Sequence, residues 1–177
     1  MKGGRTVTER AGWQGRFLED FEVGDVYHHT LGRTVIDADN SWFTLLTQNT
    51  ARLHFDEHYA SSTEFGRPLV NSCFTIALVT GQSVFDVSFN VKANLGWDEV
   101  RLPNPLHVGD TVYSSSRVLS TRESRSHPDA GIVEVETKGY NQDGTVVITY
   151  RRTVLVYRRG HSPSISRPVV EFDELPG

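Results

Sequence analysis

The sequence predicts an α+β fold in which an antiparallel sheet wraps around one long central helix. Three observations carry this. The run from Ser72 to about Phe85 is apolar on most of its helical faces, which marks a buried helix. Four later segments, Leu95–Leu102, Thr111–Thr121, Gly131–Tyr140 and Thr145–Tyr157, are rich in the β-branched and aromatic residues that strands favour. Asn141-Gln-Asp-Gly144 joins the last two as a hairpin turn, because glycine supplies the left-handed backbone such turns use. A buried helix followed by a run of antiparallel strands is an α+β pattern.

Length and composition set the outer limits. The 177 residues suit one domain with short extensions, enough to bury a core. With 37% hydrophobic and 23% charged residues, the composition is that of an ordinary globular protein. A net charge of -4 argues against nucleic acid as a partner, since phosphate binding needs a basic footprint. The single cysteine excludes an intramolecular disulfide and a cysteine-rich metal cluster. Cys73 falls inside the apolar helix, where a buried and inert thiol is expected. With neither a basic-flanked apolar leader nor a run of membrane-spanning length, the expected placement is cytoplasmic.

The elements follow in order. Residues 1–15 are polar and expected to be a flexible segment, 16–159 form the domain, and 160–177 an irregular tail. Glu22-Val-Gly-Asp25 is a turn ahead of a strand from Val26 to about Thr34. A helix begins near Ile36, with Asp37 as its expected cap and Asp39 favoured by the helix dipole. Trp42, Phe43, Leu45 and Leu46 recur at helical spacing and predict its core face. Asp56 is placed to cap a short helix through Tyr59, and Pro68 enforces an extended entry to the central helix. In the third strand-like segment Val133, Val135 and Thr137 alternate with Glu134, Glu136 and Lys138, as a half-exposed strand requires. Residues 122–130 read as a surface loop, and Gly109-Asp110 as a structural turn. There is no internal repeat.

Chemistry concentrates between Asn49 and Ser72. His54 stands between apolar neighbours just after a polar stretch. A neutral imidazole there can take a proton from water and return it; equally, it can be a half-buried histidine bonded to a backbone carbonyl. Asn49 cannot act as a base but can orient water, or can occupy a helix C-terminus. Asp56 is read as a cap, with replacement of a catalytic carboxylate as the alternative. Asn71 and Ser72 open the central helix, whose free amides carry partial positive charge and can stabilise a developing oxyanion. Arg52, His58 and Arg67 are candidates for meeting an anionic group on a substrate. His28 and His29, adjacent in a strand, point to opposite faces, and no string has metal-ligand spacing.

The order Asn49-Thr-Ala-Arg-Leu-His54, then Arg67-Pro-Leu-Val-Asn-Ser72 and an apolar helix, resembles a known signature. It is that of the MaoC-like dehydratase and (R)-specific enoyl-CoA hydratase family, hotdog-fold proteins acting on acyl thioesters of coenzyme A. The resemblance spans about residues 17–158. Within it, LLTQNTARLHFDEHYA and PLVNSCFTIALVTGQSV are similar to the itaconyl-CoA and mesaconyl-CoA hydratase subgroup.

The resemblance implies a single hotdog unit that pairs as a homodimer or a higher homo-oligomer of dimers, with sites at the shared interface. It implies a hydro-lyase acting on a short, branched or dicarboxylic 2,3-enoyl-CoA of itaconyl-CoA or mesaconyl-CoA type. His54 falls on the signature's catalytic histidine, and Asn49 on the position where most members carry Asp. Ala51-Arg52 stands where the signature has Asn-Pro, and Asn71-Ser72 where a His-Gly pair holds the thioester carbonyl. No protein-bound cofactor is implied, since coenzyme A arrives with the substrate. Two alternatives remain. One is a non-catalytic acyl-CoA binding or assembly subunit. The other is a thioesterase, for which the helix lacks a carboxylate between Cys73 and Phe85.

Overall fold

The computed structural model describes residues 8, 10–166, 168 and 170. The chain order is β1 (Val26–His28), β2 (Arg33–Thr34), α1 (Asp37–Leu46), α2 (Glu57–Ser61), α3 (Ser72–Ser83), β3 (Val91–Arg101), β4 (Thr111–Glu123), β5 (Ala130–Tyr140) and β6 (Val146–Tyr157). All pairings are antiparallel, in the order β1-β4-β5-β6-β3, with β2 also paired to β4. The expected sheet, helix and hairpin are present. Gly144 takes φ 77°, and the Asn141 side chain accepts from the amides of Asp143 and Thr145.

Helix α3 lies on the sheet through Phe74, Thr75, Val79 and Ser83, the face repeated at one-turn spacing. Val79 is fully buried, and full burial of such a side chain contributes about 1.5–3 kcal/mol. It packs where β5 has no side chain: a Cβ built on Gly139 would lie 2.7 Å from Val79 Cγ2 and 2.8 Å from Ile148 Cγ2. The close helix–sheet approach therefore depends on that glycine. Beyond Ser83 the helix widens into a π-helical turn, Val84–Ser88.

Two polar networks pin this far end. The buried His29 ring bonds Asp86 through Nδ1 and Ser116 through Nε2, both at 2.9 Å, while Arg16 reaches Asp86 at 2.8 Å. Arg152, also buried, donates to Asn94, Ser83 and Ser88. Its charge sits beside the C-terminal end of α3, where the helix dipole favours a cation.

Several expectations need correction. The strand expected over Val26–Thr34 is broken into β1 and β2. Between them Gly32 passes so close to Tyr113 that a Cβ would lie 2.2 Å from the ring. Asp37 does not cap α1; Ile36 precedes the helix, and its amide donates to Asp39 at 3.0 Å. Of the core face predicted for α1, only Phe43 packs against the core, its ring edge-on to Phe74 with centroids 5.5 Å apart. Trp42 and Leu46 are 78% and 83% exposed, whereas Asn40 and Thr44 are wholly buried. Apolar residues occupy more than one side of this helix, and polar partners in the adjacent loops select the inward side. Nor is Cys73 buried: it is exposed on the same open face of α3 as Ala77 and Gly81.

Of the expected flexible segment 1–15, residues 1–7 and 9 lie outside the described residues. Trp13 stacks on Phe85 with centroids 5.3 Å apart, and Gln14 accepts from the Asn90 side chain. Residues 160–166 contain no helix or strand, and 167, 169 and 171–177 lie outside the description. No helix among the described residues is long and apolar enough to cross a membrane.

Candidate active site

Helix α1 ends at Leu46, and Gln48, not Asn49, takes the left-handed conformation, φ 58°, that follows many helix C-termini. The chain then turns back. The Asn49 amide donates to Thr44 O at 3.0 Å, and Asn49 Oδ1 accepts from Ala51 N at 2.9 Å. One carboxamide oxygen thus shapes the loop, and the NH2 group stays available to donate. A single 3-10 turn, Arg52–His54, follows directly.

His54 is half-buried, with Nδ1 3.0 Å from the backbone oxygen of Leu69. A carbonyl oxygen only accepts, so Nδ1 carries the proton and Nε2 presents its lone pair. That is the tautomer required of a proton acceptor. The bland expectation for this residue, a bond to a backbone carbonyl, and the catalytic one are therefore the same arrangement.

Leu69 also leads into α3. Its neighbour Val70 bonds Leu106 O at 2.9 Å, and Asn71 caps the helix by accepting from Cys73 N at 2.9 Å. The Thr75 amide goes to Asn71 O, while among the described residues Ser72 N has no acceptor. A free amide at a helix start attracts negative charge. Asn71 Nδ2 donates to Thr44 Oγ1 at 3.0 Å.

Asn40, on the inner face of α1, was missed by the sequence reading. Its Nδ2 donates to His54 O at 2.7 Å and to Leu69 O at 2.9 Å, and its Oδ1 accepts from Asn71 N at 2.9 Å. The available signal was a pair of polar residues, Asn40 and Thr44, one turn apart, with Thr44 set among Trp42, Phe43, Leu45 and Leu46. His54, Asn49, Asn71 and Ser72 are thus gathered around α1.

Among the described residues, the side chains of the other candidates make no hydrogen bond to this cluster. Arg52 is exposed, binds Asp56 through Nε at 3.0 Å and Nη2 at 2.9 Å, and lies over the Tyr59 ring. Asp56 caps α2 as expected, accepting from Tyr59 N at 2.9 Å. That amide, and then Arg52, hold its carboxyl below the usual range, so it is a poor proton acceptor near neutrality. His58 and Arg67 are exposed. His28 bonds Ser115 on the outer face of β1 while His29 points inward, as their adjacency required.

An open apolar groove of about 850 Å3 runs along α3, bounded by Leu31, Phe43, Phe74, Ala77, Gly81 and Phe85. It begins at Phe74, two residues beyond Ser72, and leads away from His54.

A family model described as mesaconyl-CoA hydratase matches residues 4–165. Mesaconyl-CoA hydratase of Cereibacter sphaeroides is 33% identical over 156 residues, covering 88% of this chain and 45% of that protein. The crystal structure of the MaoC-like dehydratase from Rhodospirillum rubrum superposes with a TM-score of 0.72 at 30% identity, covering 82% of this chain and 99% of that one. A protein of Mycobacterium tuberculosis described as a double hotdog fold has a TM-score of 0.75 at 21% identity, covering 93% of this chain and 48% of that one. The sheet wrapped on α3 is therefore a hotdog fold. The chain spans about half the length of the curated relatives it matches. With the match running through the Asn49–Ser72 cluster and nearly the whole described sheet, the chain belongs to the mesaconyl-CoA hydratase family.

Proposed function

We propose that this chain carries a hydro-lyase site for reversible hydration of a short 2,3-enoyl-CoA thioester, of the mesaconyl-CoA or itaconyl-CoA type. The observation that carries the reading is the His54 Nδ1 to Leu69 O bond, which leaves Nε2 free as a base. Family membership and the names of the relatives support it.

In this reading Asn49 Nδ2 holds a water, and His54 Nε2 takes a proton from it as the oxygen attacks C3. The double-bond electrons move toward the thioester oxygen, where the Ser72 amide stabilises the charge. His54 then returns the proton to C2, so one water is consumed and the base is regenerated. Asn71 fixes the helix start around that amide. Arg67 and Arg52, both exposed, are assigned to the anionic groups of the substrate; Arg52 must then exchange Asp56 for them. Coenzyme A enters with the substrate, and no resident cofactor takes part.

Two copies of the chain form the working unit, placed in the cytoplasm. The exposed Leu95 and Trp97 on β3, a strand at the sheet edge, support this pairing.

The test is the enoyl-thioester absorbance on mixing the protein with crotonyl-CoA, mesaconyl-CoA and itaconyl-CoA. Wild type should bleach the band, and His54→Ala should be slower by about 10²-fold or more. Full activity in a folded His54→Ala protein would sink the assignment. The amide at position 49 favours one other reading, an acyl-CoA binding subunit. That reading predicts tight thioester binding without turnover, with turnover appearing in Asn49→Asp.

A further inference from the structure

We infer that Asn40 is a positioning residue that fixes the proton acceptor His54 against the amide-bearing start of α3. The inference rests on the reading of His54 as the base. Asn40 spends its hydrogen-bonding capacity on this one junction: both Nδ2 hydrogens go to His54 O and Leu69 O, and Oδ1 receives Asn71 N. Those three groups belong to the 3-10 turn, the strand-like link and the helix cap, separated from Asn40 by 14, 29 and 31 residues.

The geometry at Leu69 O gives the mechanism. That oxygen accepts from His54 Nδ1 at 3.0 Å and from Asn40 Nδ2 at 2.9 Å. With both lone pairs engaged, its direction is set by Asn40, and the imidazole plane follows. Asn40 also grips the carbonyl of His54 itself, so ring and backbone of the base are held from one buried side chain. Through Asn71 N the same amide fixes where α3 begins, and hence where Ser72 N lies relative to Nε2.

Neither Asp nor Leu replaces this. Asp keeps the acceptor for Asn71 N but loses both donors, and Leu fills the space but satisfies none of the three groups. Burial makes each loss count, because water cannot substitute. Thr44, one turn along α1, holds Asn71 Nδ2 and the Asn49 backbone amide but, among the described residues, makes no hydrogen bond to His54 or Leu69. It is the natural control.

The experiment reads the tautomer of His54 by long-range proton–nitrogen NMR, its signals identified among the seven histidines by their loss in His54→Ala. Wild type should show the Nδ1–H form alone. Asn40→Ala and Asn40→Asp should each show a mixture, whereas Thr44→Val, destabilised in the same region, should keep the Nδ1–H form. In turnover, the Asn40 variants should lose about 10- to 100-fold in kcat with KM changed less than about threefold, as for a displaced reacting group. Added to His54→Ala, the same substitutions should cost nothing further. An unchanged tautomer in a folded Asn40 variant, or losses that multiply in the double variant, would overturn the proposal. Collapse of both Asn40 variants would assign the residue to folding and overturn it as well. If wild type shows no turnover, the hydratase reading falls, while the tautomer comparison still decides the role of Asn40.

Discussion

His54 Nδ1 lies 3.0 Å from the backbone oxygen of Leu69, fifteen residues further along the chain. This contact joins the candidate base to the segment that opens α3, so in the proposed mechanism proton transfer and carbonyl stabilisation share one anchor. It also decides which ring nitrogen is left unbonded.

The Asn49 side chain accepts at one fixed place through Oδ1, while among the described residues its NH2 group has no acceptor, which separates its structural and chemical parts. Asn49→Asp keeps the acceptor for Ala51 N, so its melting temperature should match wild type. Asn49→Ala loses that bond and should be destabilised by about 0.5–1.5 kcal/mol. Turnover of an enoyl-CoA should survive in the Asp variant and fall at least about tenfold in the Ala variant. An Ala variant with wild-type kcat would remove Asn49 from the site.

Asn71 joins the cap of α3 to Thr44 on α1. Replacing it with Ala should cost roughly 1–2 kcal/mol in urea unfolding, from the lost cap and the lost buried bond. Asn71→Asp, which still accepts from Cys73 N, should lose less. Equal losses would mean that the cap contributes little.

Gly139→Ala tests the approach of α3 to the sheet. The added methyl would meet Val79 and Ile148 inside contact distance, and overpacking of this kind costs about 1–3 kcal/mol. Val79→Ala should relieve part of that cost in the double variant. A Gly139→Ala protein as stable as wild type would show that the layers separate freely.

Acid should weaken the fold in two stages. Burial pushes the His29 imidazole below its ordinary 6.5, against the pull of Asp86 and with smaller help from the fields of His28 and Arg16. The unfolded chain therefore binds a proton below about 6.5 that the native state refuses, and stability falls from there to the folded pKa. Burial alone would raise Asp86, but its hydrogen bonds to His29 and Arg16 hold it below the ordinary 3.8. Its contribution is intact above 3.8 and is lost as pH falls through the folded value. Urea midpoints measured across pH should show the upper stage in wild type and lose it in His29→Gln. A flat wild-type profile between 6.5 and 4 would contradict this account of His29.

Much of the fold was legible because the signals are local. Alternation in Val133–Lys138, the Asn141–Gly144 turn and the cap at Asp56 each depend on residues within a few positions, and all three are present. The stretch Asn49–Ser72 could likewise be singled out by residue type and order. What failed was orientation. Trp42, Phe43, Leu45 and Leu46 looked like a core face, yet only Phe43 packs on the core and the fully buried positions are Asn40 and Thr44. Cys73 looked buried and is exposed, because the sheet covers only one side of α3.

The sequence by itself determined which segments become strands and helices and which stretch holds the candidate site, since short-range periodicity and residue type suffice for that. Only the tertiary structure decided which nitrogen of His54 is free, which face of α1 turns inward, and that Asn40 binds the parts of the site together. Those outcomes hang on hydrogen bonds spanning 14 to 31 residues. The partners of such bonds meet only after the chain has folded, and burial then makes an unpaired amide or carbonyl too costly for any other arrangement.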